Sequence, residues 1–273
     1  MKYNVPMAEN TINLFPHQVA GHGNLQSWDE KTVLKPCTKT EYDFYRVVFE
    51  RKHELKNWIP HLHQLIEKNE GNDRVNNFSL GKYKHAVIIE NLCYGMTRPC
   101  ILDIKIGRQL WAEDASDDKK RRLDLVSSST TSGSHGFRIT GMTCWDQTTS
   151  SMAHYSTLWG KTLTPDLIVP SLSLFTKALP ANQASIVMDL ITSSLMKLYE
   201  ELKDAHITFR SSSILITYDA CDSFLDGFEK CNYNLRLIDF AHSAFSTEVD
   251  YNYLFGLENL IKCFHELGET VSK

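Results

Sequence analysis

Several short stretches hold ionisable residues where an unpaired charge is costly. "PCILDIKIGRQLW", residues 99–111, sets Asp103 and Lys105 into an apolar run, with Arg108 just beyond it. Strand alternation puts Ile101, Asp103 and Lys105 on one face and Leu102, Ile104 and Ile106 on the other. One face is then core, and the other presents a carboxylate and an ammonium. "LRLIDFAHS" delivers Asp239 at the end of a second apolar strand, with His242 three residues on. Lys35, in "TVLKPC", ends a third. "DDKKRRLDL" is the densest basic run, and helical spacing sets Lys119 and Arg122 on one face while Lys120 and Arg121 point elsewhere.

Phosphoryl transfer uses such a set: a cation on nucleotide phosphates, a carboxylate holding Mg²⁺, backbone groups for adenine and a cationic surface for the acceptor. Lys35 fits the first role, although a lysine at a strand end is equally a solvated residue with a buried stem. Asp239 fits the second, because a charge at the end of an apolar strand must be met by a metal or cation. Glu90, Asn91 and Leu92, in "IIENL", lie where the chain leaves its first half and offer backbone groups to adenine; an ordinary linker is the competing reading. His242 suits a phosphate contact or a structural role. The serines at 211–213 suit a metal site or a turn. Lys105, Arg108, Lys119 and Arg122, with Arg138 in "GFRITGM" as a further candidate, are the cations for an anionic acceptor, against the reading of a solvated basic helix. "GHGN" lacks both GxGxxG and GxxxxGK[ST], so Gly21 and Gly23 read as a tight turn. HRD, DFG and GxSxG are missing, which disfavours ordinary protein kinases and serine hydrolases.

The elements that must position these residues form two halves. With 273 residues, 42% hydrophobic, the chain can bury one large core or two lobes of one. Residues 1–91 read as a strand-rich lobe: two short strands, the second ending at Lys35, a helix capped by Thr40 and stopped by Pro60, and a hairpin ending at Glu90. Residues 92–273 read as a larger lobe. It holds the strand with Asp103, a polar helical segment at about 108–126, a mobile Ser/Thr loop at 127–134, a strand over "FRITGMTCW" and a long helix over 182–206. A hairpin at 211–243, turning through an acidic segment with Gly227, and a closing helix over 251–267 complete it. The order is that of two-lobed ATP-dependent kinases. No apolar run reaches the roughly 18 residues of a membrane span, and the N-terminus lacks a signal peptide's core. Seven cysteines without CxxC spacing suit reduced thiols of the cytoplasm or nucleus, without structural zinc. A formal charge of −4 argues against a nucleic-acid partner, so an anionic ligand must be met locally.

"PCILDIKIG" resembles the PxxxDxKxG signature of the inositol polyphosphate kinase family, "SSSILITYD" its SSLL element and "LIDFAHS" its IDFAH element, in the family's order. "HQVAGHG", "TVLKP", "IIENL" and "TSGSHGFRITGM" resemble further family segments, so the likeness runs from about His17 to the last helix. The resemblance implies an α+β, two-lobed kinase-like fold related to ATP-grasp and protein kinases, with ATP and Mg²⁺ as cofactors and inositol polyphosphates as acceptors. It implies Lys35 on the ATP phosphates, Glu90, Asn91 and Leu92 at the adenine, and Asp103 at the ribose or reaction centre. Lys105 would lie beside the transferred group, Asp239 on Mg²⁺ and His242 on the inositol phosphate. "SSSILITYD" and "STTSGSHGFRITGM" resemble the hexakisphosphate kinase branch more than the trisphosphate 3-kinases or multikinases, while Ala220, Ser243 and "TCW" depart from it. The expected reaction is therefore transfer to an inositol phosphate, foremost the hexakisphosphate to a diphosphoinositol product. A monomer without membrane insertion is expected. The rival is a module that binds inositol phosphates or phosphoinositide head groups without turnover, but such a module has no use for a metal carboxylate. A kinase for another small molecule would leave Lys119 and Arg122 without a purpose.

Overall fold

A computed structural model describes residues 14–20, 25–51, 53–68, 74–75, 78–221 and 232–271. Gly21, Gly23 and the acidic turn with Gly227 lie outside the described residues. The first lobe carries β1 (Gln26–Ser27), β2 (Thr32–Cys37), α1 (Lys39–Glu50), β3 (Leu62–Glu67), the paired β4 (Arg74–Val75) and β5 (Phe78–Ser79), and β6 (His85–Glu90). Its antiparallel sheet runs β1-β2-β6-β3. β6 lies between β2 and β3, and its uninterrupted apolar run Ala86 to Ile89 is buried throughout. It pairs with β2 and β3, not with β5, so the expected hairpin over 78–90 does not form. β2 continues past Lys35 through Pro36. β1 covers only Val33 and Leu34, so Pro36 lies beyond the β1 ladder. Thr38, not Thr40, caps α1, accepting from the Glu41 N–H at 3.2 Å, and the helix stops at Glu50 before a 3₁₀ turn at Glu54–Asn57.

The second lobe holds β7 (Pro99–Ile106), α2 (Asp117–Ser128), α3 (Thr131–His135), β8 (Phe137–Asp146), β9 (Ser151–Tyr155), α4 (Thr157–Thr162), α5 (Ile168–Thr176) and α6 (Ala181–Lys203). The short β10 (Ile207–Thr208), β11 (Ser213–Asp219), β12 (Tyr233–Ile238), β13 (Ala244–Phe245) and α7 (Tyr251–Val271) follow. Its main sheet is antiparallel in the order β12-β11-β7-β8-β9, with β7 at the centre. Leu102, Ile104 and Ile106 face the core, each worth about 1.5–3 kcal/mol of burial. The opposite face of β7 is buried too, with Asp103 only 3% exposed. The expected mobile Ser/Thr loop is instead helical. α2 reaches Ser128 and α3 follows after a short turn, with Ser127, Thr131 and Ser132 buried. The hydroxyls find local acceptors: Ser127 Oγ donates to the Arg108 carbonyl at 2.7 Å and Thr130 Oγ1 to that of Val126 at 2.8 Å. Gly136, at φ +71°, then ends α3.

One cluster of buried side chains runs from Val33 and Phe44 of the first lobe to Leu257 and Phe264 of α7. α7 reaches the exit of β7 because Gly256 has no side chain: a Cβ there would overlap the Gly136 carbonyl and lie 2.9 Å from Ile106 Cγ2. The same carbonyl accepts from the Gly107 N–H at 2.6 Å, closing the loop between β7 and β8. Gly256→Ala is expected to cost about 1–3 kcal/mol through this overpacking, read as a lower urea midpoint with unchanged slope.

Candidate active site

The sheet register brings the charged residues together. Lys105 lies opposite Arg138 on β8 and opposite Ser213 on β11, and Ser213 lies opposite Ile238 on β12. Asp239 is the next residue, so it emerges two strands from Lys105, about 10 Å across the sheet. A bulge between Asp103 and Ile104 leaves Thr140 as the extra residue of β8. Its hydroxyl donates to Asp103 Oδ1 at 2.5 Å. Burial and the Asp239 carboxylate push the Asp103 carboxyl above its ordinary range, against the pull of Lys105 and Thr140. Burial draws Lys105 below the ordinary lysine value, while Asp239 and Asp103 hold it up. Its Nζ donates to the Ser211 carbonyl. The Ser211 hydroxyl serves the turn, donating to the Leu110 carbonyl at 2.8 Å.

Lys35 joins the lobes. Its Nζ lies 2.7 Å from Glu41 Oε1 and 2.6 Å from Asp239 Oδ1. Burial alone would lower its pKa, but Asp239 and Glu41 carry it well above the ordinary value. Glu41 also accepts from the Phe240 N–H at 3.2 Å. Sequence reasoning missed Glu41. The available signal was Thr-x-x-Glu over residues 38–41, which reads as a helix cap, whereas the carboxylate turns to Lys35. Asp239 sits at φ +66°, a left-handed conformation that costs about 1 kcal/mol or more outside glycine. Among the described residues no group of three or more His, Cys, Asp or Glu is placed to hold a metal alone. Asp239 fits a Mg²⁺ ion that takes its remaining ligands from phosphates and water, the usual habit of that ion.

Beside this cluster lies a cleft between the lobes. Val33 and Ile89 line it from the first lobe, Leu92, Ile101, Leu215 and Ile238 from the second, and Lys35, Asp103 and Asp239 add the charge. Glu90 and Leu92 border it. The Leu92 carbonyl is taken by Thr217 Oγ1 at 3.0 Å and Asn234 Nδ2 at 2.9 Å, so its N–H is the group left for a ligand. Asn91 is spent on the chain itself: its N–H and side chain bond Lys31, Glu30 and Cys93.

On the far side of Lys105, Lys119 Nζ approaches His242 Nε2 at 3.3 Å. Burial, and then the Lys119 charge, lower the His242 pKa, so the neutral ring accepts from the ammonium. Arg122 is exposed one turn along α2. Lys120 and Arg121 point elsewhere, on Trp111 and Asp118. Arg108 does not join this group. Its guanidinium lies 3.7 Å from the Phe255 ring centre and donates to the Ser134 carbonyl, because Gly107 at φ +104° turns the chain toward α7. Arg138, 7% exposed, donates from Nη1 to Ser132 Oγ at 3.0 Å. The whole is an apolar slot with a cation and two carboxylates, continuing into a cationic shelf. Such a site can hold a nucleotide and pass its terminal phosphoryl group to an anion.

The inositol polyphosphate kinase family model matches residues 86–265. The inositol polyphosphate multikinase of Schizosaccharomyces pombe is 43% identical over 266 residues, covering 93% of this chain and 97% of its own. Mouse inositol hexakisphosphate kinase 3 is 27% identical, over 69% of this chain and 52% of its own. The Saccharomyces cerevisiae inositol phosphate multikinase, solved in complex with ADP and Mn²⁺, matches with a TM-score of 0.73 at 26% identity, covering 86% of this chain and 98% of that one. The expected leaning to the hexakisphosphate kinase branch is not carried by these two relatives, of which the multikinase matches with the higher identity and coverage.

Because Asp103 titrates above its unfolded value, keeping it charged opposes folding at every pH above the raised pKa. Below the ordinary carboxylate range both states hold the proton and the penalty disappears. Asp103→Asn, which still accepts from Thr140, should therefore melt above the wild type at pH 7, with the gap closing as pH falls toward about 4. A variant melting lower at pH 7 would mean that Lys105 outweighs burial.

Proposed function

This chain belongs to the inositol polyphosphate kinase family, and on that premise we propose that it transfers the γ-phosphoryl group of ATP to an inositol phosphate. The observation that carries the reading is the contact of Lys35 with Asp239 beside Asp103 and Lys105, next to the apolar slot between the lobes. Adenine lies in that slot, accepting from the Leu92 N–H, with Glu90 at its edge. Lys35 meets the phosphates. Asp239 holds Mg²⁺, which when bound neutralises charge on the phosphate chain; the ADP and Mn²⁺ complex of the yeast multikinase supports a nucleotide with a divalent cation. Lys105 faces the transferred group, and Lys119, Arg122 and His242 hold the acceptor's other phosphates. Arg108 is assigned to the scaffold.

Transfer is direct: the γ-phosphorus loses its bridging oxygen to ADP and gains the acceptor oxygen, and where the acceptor is a hydroxyl its proton passes to the transferred phosphate or to water, with no covalent enzyme intermediate. A loose transition state asks for position and charge more than for a base, so Asp103 acts through its charge beside Lys105 and the nucleotide end. The acceptor is proposed to be a ring hydroxyl of a partly phosphorylated inositol, in keeping with the multikinase relatives. Transfer onto a phosphate of the hexakisphosphate is the second reading, carried by the likeness of residues 211–219 and 129–142 to that branch.

Radiolabelled ATP, Mg²⁺ and a panel of inositol phosphates, with products separated by charge, test both. Label on the tris- and tetrakisphosphates supports the first reading, label on the hexakisphosphate alone the second, and label on none of them refutes the kinase. Asp239→Asn should lose at least roughly 100-fold in turnover, about 2.7 kcal/mol, at saturating Mg²⁺ and ATP. Lys119→Ala and Arg122→Ala should raise the half-saturating inositol phosphate concentration, by a factor that shrinks as salt is added.

A further inference from the structure

Lys105 and Arg138 form a directly opposed cross-strand pair. Like charges so placed repel, and these two are both largely buried. Neither makes an ion pair within 4 Å among the described residues. Lys105 Nζ donates to the Ser211 carbonyl, Arg138 Nη1 to Ser132 Oγ, and the Asp103 carboxylate nearby accepts from Thr140. Arg138 Nε is buried with no hydrogen-bond partner among the described residues. A buried guanidinium Nε–H without an acceptor is expensive to keep inside a protein. The residues lining the nucleotide cleft include Asp103 but neither Lys105 nor Arg138, and the Lys105 charge acts on His242, which stands beside Lys119.

We infer that Arg138 and Lys105 form a two-cation cradle for one phosphate group of the acceptor, with Arg138 as a direct phosphate ligand held in place by Ser132. This deepens the kinase reading and rests on it for the identity of the anion. The bound phosphate relieves the repulsion and takes up the free N–H groups, and Ser132 carries the geometry onward. α3, which holds Ser132, packs so closely on the end of α2 that a Cβ on Gly133 would lie 2.6 Å from the Ser127 carbonyl. The cradle and the helix bearing Lys119 and Arg122 are therefore set by the same joint.

The test is thermal unfolding of the full chain and of Arg138→Gln, alone, with inositol hexakisphosphate and no ATP, and with ADP and Mg²⁺. The variant is expected to melt at or above the wild type when free, to lose at least half of the hexakisphosphate shift, and to keep the ADP shift. In kinetics its half-saturating inositol phosphate concentration should rise about tenfold with turnover at saturation little changed, as for loss of one charge-assisted contact. Arg138→Lys, which keeps the charge without the planar fork, should recover part of the shift. If Arg138→Gln does not fold, Arg138→Lys alone decides: full wild-type affinity for the hexakisphosphate overturns the cradle. It is also overturned if Arg138→Gln melts lower yet binds normally, or if the wild type shows a shift with neither the hexakisphosphate nor, run in the same way, a trisphosphate. A wild type that binds but never turns over sinks the kinase reading and leaves the cradle standing. A wild type that turns over, with Arg138→Gln binding equally well, does the reverse.

Discussion

Lys35 holds two carboxylates at once, and the geometry of the cleft depends on that contact. Glu41 comes from the first turn of α1 and Asp239 from the end of β12, so one ammonium fixes the first-lobe sheet, its helix and the edge of the second-lobe sheet relative to each other. Removing one partner of so buried a group typically costs about 3–5 kcal/mol, because the remaining charges are stranded. Two neighbouring contacts run across the same joint. The Phe240 N–H donates to Glu41, and the Phe240 ring stacks on Phe44 at 4.4 Å. These contacts can offset the left-handed backbone at Asp239 and keep its carboxylate pointed at the cleft.

The parts of this site legible in the sequence are those that a buried charge gives away locally. Asp103 and Lys105 interrupt an apolar alternation, Asp239 ends one, and Lys119 and Arg122 share a helical face; each anomaly needs only a few neighbours to be seen. The missed features depend on distant partners. Arg108 follows the same strand as Lys105 and looks equally suited to an anion, yet its direction is decided by Gly107 and by a ring on α7. Glu41 matches a capping box until Lys35 is placed beside it. The bulge that points Thr140 at Asp103 leaves no trace in alternation, since alternation cannot say which residue is extra. Serine and threonine composition suggested a loop at 127–134, but the hydroxyls there bond nearby carbonyls, which makes a buried polar helix tolerable.

The same distinction explains why branch and family were unequally readable. The signature elements are the ones proposed to hold the nucleotide and the transferred group, a task shared across the family, so they mark the family and say little about the acceptor. In the proposed arrangement the acceptor is met by residues between β7 and β8 and by the turn after β12, where loop length and helix packing set the spacing of the cations. Whole-chain identity samples those regions as well, and it points toward the multikinases.

The two sides of the site also differ in how they hold their cations. On the nucleotide side Lys35 is gripped by carboxylates, which suits a position where a metal and a phosphate chain redistribute charge. On the acceptor side the partners are neutral: a carbonyl for Lys105, a hydroxyl for Arg138 and an uncharged imidazole for Lys119. Neutral dipoles orient a cation without cancelling it, whereas a carboxylate in the same place would compete with the incoming phosphate. An acidic chain of net charge −4 can thus keep a locally positive surface for a polyanion. The cost is repulsion between buried cations in the free protein, which a phosphate bound in the proposed cradle relieves.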